Sequence, residues 1–263
     1  MARATRNERP RNLRPVNDAT GGLTLTVLGC SGTYAAPGGA CSGYLVRSAS
    51  TTLAVDLGSG TLANLQRHVD IADLDALVLS HEHPDHWLDL PLLRNAMRYV
   101  LELADLPVYG TAGTARLAGQ LLSEMAPTLR WTVVDGSSEV TVGDLAVRFS
   151  RTDHPVDTLA VRVDGAGRSL LYSADTGSAW DPRPLGGGVD VLLSEASLPT
   201  WEEDRFEHLS GRQAGAYAQE LGAGRLVLTH IAPGVDPDDQ RWAAAGEYRG
   251  PIDVATPGAV FPI

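Results

Sequence analysis

Lysine is missing from this chain of 263 residues, and all 21 basic residues are arginine. Without a side-chain amine, a Schiff-base mechanism, a catalytic lysine and a lysine-dependent phosphate loop are excluded. Cysteine is nearly as scarce. Cys30 and Cys41 are the whole complement, too few for a disulfide framework and without metal-type spacing, so both read as reduced thiols. No apolar run approaches the roughly 18 to 20 residues that cross a bilayer. The opening stretch MARATRNERPRNLRPVNDATGG carries five arginines but lacks the apolar segment of a secretory signal. The expectation is a disordered basic tail over residues 1–22, a single folded domain over 23–263 and a cytoplasmic location.

Positive charge is short as well. The formal charge is −11, and the tail, with five arginines against Glu8 and Asp18, contributes +3, which leaves −14 on the rest. Affinity for long nucleic acid comes from phosphates neutralised by Lys and Arg, so such a body is a poor partner for a long polyanion.

What is present is ordered patterning. Short β-branched or alternating runs over 23–29, 43–48 and 52–58 read as strands between glycine-rich turns. Residues 61–69 have helical spacing, 75–80 read as a buried strand, and 88–103 and 112–125 read as helices. Strands resume at 130–135, at 139–152 with a turn at Gly143-Asp144, and at 159–164, 169–175 and 189–195. Ser210 is a candidate N-cap for a helix that closes at Gly222, before a strand over 225–231. The simplest organisation is one α/β domain with two mixed sheets and helices outside.

Chemistry concentrates in LSHEHPDHWLDL, residues 79–90, where three histidines and two carboxylates occupy the six residues from His81 to His86. His81 and His83 stand two apart at a strand end, so in extended geometry their rings project to one side. Pro84 keeps the strand from continuing in a central ladder, and Asp85 and His86 follow at once. Two adjacent sets of nitrogen and oxygen ligands suit zinc or a similar cation. Four further stretches offer His154 (RTDHPVDT), Asp175 (LLYSADTG), Glu195 (LLSEAS) and His230 (LVLTHI). Taken singly, each also fits a bland role: a turn aspartate, a helix-start glutamate, hydrogen-bonded loop imidazoles.

In this order the pieces resemble the metallo-β-lactamase fold superfamily, over nearly the whole chain past the tail. The resemblance implies an αββα sandwich with two divalent metal ions at one edge, zinc first, with manganese or iron as alternatives. Carried over position by position, it gives His81, His83 and His154 to one metal, Asp85, His86 and His230 to the other, and Asp175 to both. Asp56, in AVDLGSG, matches an aspartate that orients the ligands. An aspartate at the bridging position, where lactamase-like members often place a cysteine, points to the branches that hydrolyse phosphodiesters and esters.

SEASLP and FEHLSG resemble the HEAT and HST motifs of ribonuclease Z and its small phosphodiesterase relatives. They imply a Glu195–His208 pair able to protonate a leaving oxygen, with Asp85 completing the catalytic set. Ser194 and Ser197 depart from HEAT at its first and last positions. Ribonuclease Z inserts a tRNA-grasping arm between its third and fourth ligand motifs, whereas only the twenty residues from Pro155 to Ala174 lie there in this chain. The stretch 28–46 resembles the first loop of the small relatives, with Ser31, Thr33 and Ser42 as candidate phosphate donors and a plain hairpin connection as the alternative. The expected function is a dinuclear metal-dependent phosphodiesterase acting on a small cyclic nucleotide such as cAMP. The partner is thus a small-molecule phosphodiester, with no membrane role and with a homodimer left open. The alternatives are a ribonuclease Z-like tRNA 3′ endonuclease, a lactone or thioester hydrolase, and a non-catalytic metal-binding protein.

Overall fold

The computed structural model describes residues 22–263, so the basic tail expected over 1–22 lies outside the described residues apart from Gly22. Strands β1 (Thr24–Gly29), β2 (Gly43–Arg47) and β3 (Thr52–Leu57) form an antiparallel ladder. Helix α1 (Thr61–Leu65) follows, and its first turn is held by Asp89, whose Oδ2 accepts from the Leu62 amide at 2.8 Å. The chain then adds β4 (Ala76–Leu79), α2 (Leu90–Asn95), β5 (Leu106–Gly110), α3 (Ala112–Leu121) and β6 (Leu129–Val133), with β3 to β6 paired in parallel.

The second half repeats the plan. Strands β7 (Glu139–Val142), β8 (Leu145–Arg151), β9 (Leu159–Gly165) and β10 (Arg168–Tyr172) are antiparallel. Strand β11 (Val191–Glu195), helix α4 (Gly211–Glu220), strand β12 (Arg225–Thr229), helix α5 (Pro237–Glu247) and strand β13 (Ile252–Val254) continue the sheet in parallel. Strand β14 (Val260–Pro262) returns to pair with β1. The two seven-stranded sheets run β14-β1-β2-β3-β4-β5-β6 and β13-β12-β11-β10-β9-β8-β7.

Leu25, Val27, Tyr44 and Val55 of the first sheet share a core with Val161, Leu170, Tyr172 and Leu193 of the second. The outer face of the first sheet is covered by α1, α2 and α3 through Leu65, Leu90 and Ala118. Helices α4 and α5 cover the other through Ala214, Tyr217 and Ala244. The central strands of both sheets are thus buried on both faces, which is why they read as apolar runs and not as strict alternation. The result is the expected αββα sandwich.

Several boundaries move. The helix expected over 61–69 stops at Leu65, and a tight turn then buries Val69 in the outer core. The segment 88–103 divides into α2 and a π-helical stretch, Ala96–Leu101, closed by Glu102 at φ 53°. Ser210 does cap α4, in a reciprocal capping box with Gln213. The twenty residues after His154 are taken up by β9 and β10, joined through Ala166 and Gly167 at φ 52° and 72° in a tight hairpin.

Candidate metal centre

Strands β4, β11 and β12 are each paired in parallel within their sheets, and the loops that leave their carboxyl ends hold the polar residues, the usual place for a site in such sheets. His81 lies two residues past β4, buried, and His83 follows in extended backbone. Their ring centroids are 4.8 Å apart, as expected for rings on one side. Pro84 to His86 form a single 3₁₀ turn that swings Asp85 and His86 beside them. His154, past β8, brings Nε2 to 3.1 Å from His83 Nδ1.

Asp175, past β10, sits among all of these. Its Oδ2 is 3.6 Å from His81 Nε2 and 3.4 Å from His230 Nε2, and its Oδ1 is 3.3 Å from His86 Nε2. Asp85 Oδ2 lies 3.7 Å from His86 Nε2 and 3.8 Å from His230 Nε2. Two ligand groups result, His81, His83, His154 and Asp175 in one and Asp85, His86 and His230 in the other, with donor atoms inside each group no more than 4.8 Å apart. All seven ligands proposed from the sequence converge.

The donors fit divalent cations. His81 Nε2, His86 Nε2 and Asp175 Oδ1 are buried and make no hydrogen bond of good geometry. An unmet buried polar atom costs about 1–3 kcal/mol, a cost a cation removes. Imidazole nitrogens and carboxylate oxygens suit zinc, manganese and iron alike. Burial, with the neighbouring His86, holds His81 well below the usual imidazole range, so its ring is neutral. Burial would push His86 down too, but Asp175 and Asp56 outweigh it and raise His86 well above that range. Burial alone would raise the Asp175 carboxyl, yet His230, His86 and His81 hold it well below the usual carboxylate range. A proton on His86 therefore occupies the charge position that a cation takes over, and metal uptake releases it.

The supporting residues are only partly those read from the sequence. Asp56 is the extra residue of a β-bulge, since Gly43 pairs Leu57 and Tyr44 pairs Val55. The bulge turns its carboxylate onto His86 Nδ1 at 2.8 Å. Asp56, Ala174 and His230 all take left-handed backbone, at φ 57°, 51° and 51°. Each such residue costs about 1–2 kcal/mol when it is not glycine, strain of the kind that collects at functional sites. His154 Nδ1 donates to the Glu207 carbonyl at 3.1 Å, and His230 Nδ1 meets Ser42 Oγ at 2.7 Å. Ser42 is fully buried and engaged with a ligand, so the expectation that it serves a phosphate is corrected. Gly32 explains the loop better: a Cβ there meets the His230 carbonyl at 2.7 Å.

Gly58 presses equally hard on the other side, where a Cβ lies 1.9 Å from the Asp85 carbonyl. Gly58→Ala is expected to cost about 1–3 kcal/mol in chemical denaturation and to lower metal occupancy. Wild-type stability with full metal content runs against this placement of the Asp85 turn.

Glu195, the last residue of β11, is fully buried. Its carboxylate accepts from the Thr176 amide at 2.6 Å and from Ser197 Oγ at 2.7 Å. Both of its oxygens lie 3.1 Å from His208 Nδ1. The His208 ring stacks near His230, centroids 6.0 Å apart at 18°, at the edge of the ligand cluster. Burial would lower His208, but the Glu195 charge and hydrogen bond overcome it and raise it to about 9. Ser197, a departure from the HEAT pattern, keeps a hydroxyl at the position and holds Glu195 from behind.

Residues 51–231 match the family described as beta-lactamase superfamily domain. The chain belongs to this superfamily. An uncharacterized protein of Mycobacterium tuberculosis, Rv1339, is 37% identical over 92% of this chain and 92% of its own length. The probable metallo-hydrolase YhfI of Bacillus subtilis is 32% identical over 91% of this chain and 99% of its own. The YhfI crystal structure superposes with a TM-score of 0.86 at 31% identity, over 91% of this chain and 99% of that one. A ribonuclease Z of Mycobacterium bovis is 27% identical over 88% of this chain and 95% of its own.

Proposed function

We propose that the protein is a phosphodiesterase that opens a small cyclic nucleotide such as 3′,5′-cyclic AMP to a nucleoside monophosphate. The observation that carries this reading is the Glu195–His208 pair, set at 3.1 Å beside the seven-residue ligand cluster. His81, His83, His154 and Asp175 would hold one divalent ion and Asp85, His86 and His230 the other. Such a pair of ions supplies Lewis acidity to a phosphoryl centre and an activated water at neutral pH. His208 supplies the acid. With Nδ1–H committed to Glu195, the proton on Nε2 is free to pass to the departing ribose oxygen as the phosphorus–oxygen bond breaks. A protein that only bound metal would have no need of this added acid.

A small substrate is favoured by the β9–β10 hairpin, which fills the chain between His154 and Asp175 where a grasping arm would stand. The acidic balance of the chain, −11 overall, works the same way against a long polyanion. Purified protein given zinc or manganese is expected to turn over cyclic AMP within a panel of cyclic nucleotides. A silent panel contradicts the proposal.

The pH profile offers a second check. A histidine raised to about 9 is protonated below that value and loses its proton as pH rises through it, so kcat is expected to hold to about pH 9 and fall above it. In Glu195→Gln the raising charge is gone and burial dominates, so the alkaline limb moves to lower pH. An unmoved limb counts against His208 as the acid.

A further inference from the structure

Four donors converge on Asp56. Oδ1 accepts the Ser80 amide at 2.8 Å, while Oδ2 accepts His86 Nδ1–H at 2.8 Å, the Ser80 hydroxyl at 2.9 Å and the Tyr172 hydroxyl at 3.0 Å. The same Ser80 Oγ lies 3.0 Å from His81 Nδ1. Asp56, Ser80, His81 and His86 are all 0% exposed, so water does not compete for these bonds. A serine hydroxyl has one proton to give and lone pairs to receive. Donation to a carboxylate is about twice as strong as donation to a neutral partner. Ser80 therefore gives its proton to Asp56 and accepts Nδ1–H from His81.

We propose that Ser80 is a positioning residue that extends the hold of Asp56 from His86 to His81. One carboxylate thereby keeps the Nδ1 proton in place on a ligand from each of the two metal-binding groups. The inference rests on the metal reading of the cluster. His86 touches Asp56 directly, and the hydrogen-bonded path from Asp56 to His81 runs through the serine. With the His81 proton on Nδ1, the Nε2 lone pair of that ring faces Asp175 Oδ2 at 3.6 Å. If the hydroxyl is removed, His81 Nδ1 loses its acceptor. The Asp175 carboxylate then draws the proton onto Nε2, the atom a metal requires.

The test is made on the full chain. Nitrogen-15 NMR of the metal-free protein is expected to show His81 as the Nδ1–H tautomer in wild type and as Nε2–H in Ser80→Ala. Zinc titration by calorimetry is expected to show one of two sites weakened about 10- to 100-fold in Ser80→Ala, with the other unchanged. Asp56→Asn weakens both, and Ser80→Thr, which keeps the hydroxyl, restores the first. Ser80→Cys, a weak acceptor of similar size, gives the Ser80→Ala pattern should the alanine chain not fold. His81 remaining Nδ1–H in Ser80→Ala, or equal weakening of both sites, overturns the relay. A wild-type chain that takes up no zinc overturns the metal reading instead, while the tautomer measurement still decides the role of Ser80.

Discussion

His208→Ala is expected to lower cyclic-nucleotide turnover by about 10²- to 10⁴-fold, the range for loss of a positioned acid, while two metal ions per chain remain bound. The separation of the two effects follows from where the ring sits. Its Nδ1 is bound to Glu195, which is fixed independently by Thr176 and Ser197. Three of the seven candidate ligands are held by other residues: Asp56 behind His86, Ser42 behind His230, the Glu207 carbonyl behind His154. Removing His208 leaves that scaffold intact. The competing role is visible in the geometry, because Asp175, His208 and His230 also bring donor atoms within 4.8 Å of one another. If His208 is a ligand, elemental analysis of His208→Ala shows metal lost along with turnover. Steady-state kinetics and metal analysis on the same preparation decide between acid and ligand.

Asp175→Ala is the second large effect. The two oxygens of Asp175 address His81, His86 and His230 at 3.3 to 3.6 Å. Its loss removes the one carboxylate shared between the groups and leaves the second with Asp85 as its only anion. Bound metal is expected to fall below one ion per chain. Metal stabilisation of developing charge is worth several kcal/mol, and about 4 kcal/mol corresponds to about 10³ in rate, so turnover falls by at least that factor. The metal-free protein should keep its fold, because the loss of the carboxylate lets His86 shed its raised proton and avoid a buried unpaired charge. Full metal content with more than a tenth of wild-type turnover contradicts a bridging Asp175.

The candidate ligand cluster was legible because chemistry and position agree in the sequence. His81, His83, Asp85 and His86 are packed together, and Asp175, Glu195 and His230 each end an apolar run that could only be a buried strand. The residues behind them were not. Ser80 differs in no way from an ordinary strand-end serine, and Tyr172 is one more large residue in an apolar strand. Their roles arise when the bulge at Asp56 carries a carboxylate from the first sheet to the Tyr172 hydroxyl of the second. The role of Ser42 was hidden for the same reason, since its tie to His230 spans 188 positions.

Among the elements, β5, β13 and β14 escape because they are short or interrupted by proline, as in LPVYG and VFP. Their strand character comes from pairing with neighbours and not from local pattern. Helix α5 is announced by an Asp236 N-cap and Pro237, but only Gln240 and Ala244 are buried on it, too few to show a helical period. The π-helical stretch after α2 has no signature distinct from an α-helix in its composition, so one long helix is what periodicity predicts there.

The most direct test is a comparison of kcat/KM for 3′,5′-cyclic AMP and for a tRNA precursor, with the same zinc- or manganese-loaded protein. Metal-dependent hydrolysis of the cyclic nucleotide with the precursor left intact is the predicted result. Precise 3′ cleavage of the precursor with cyclic AMP untouched contradicts it, and makes the chain a ribonuclease Z-like endonuclease.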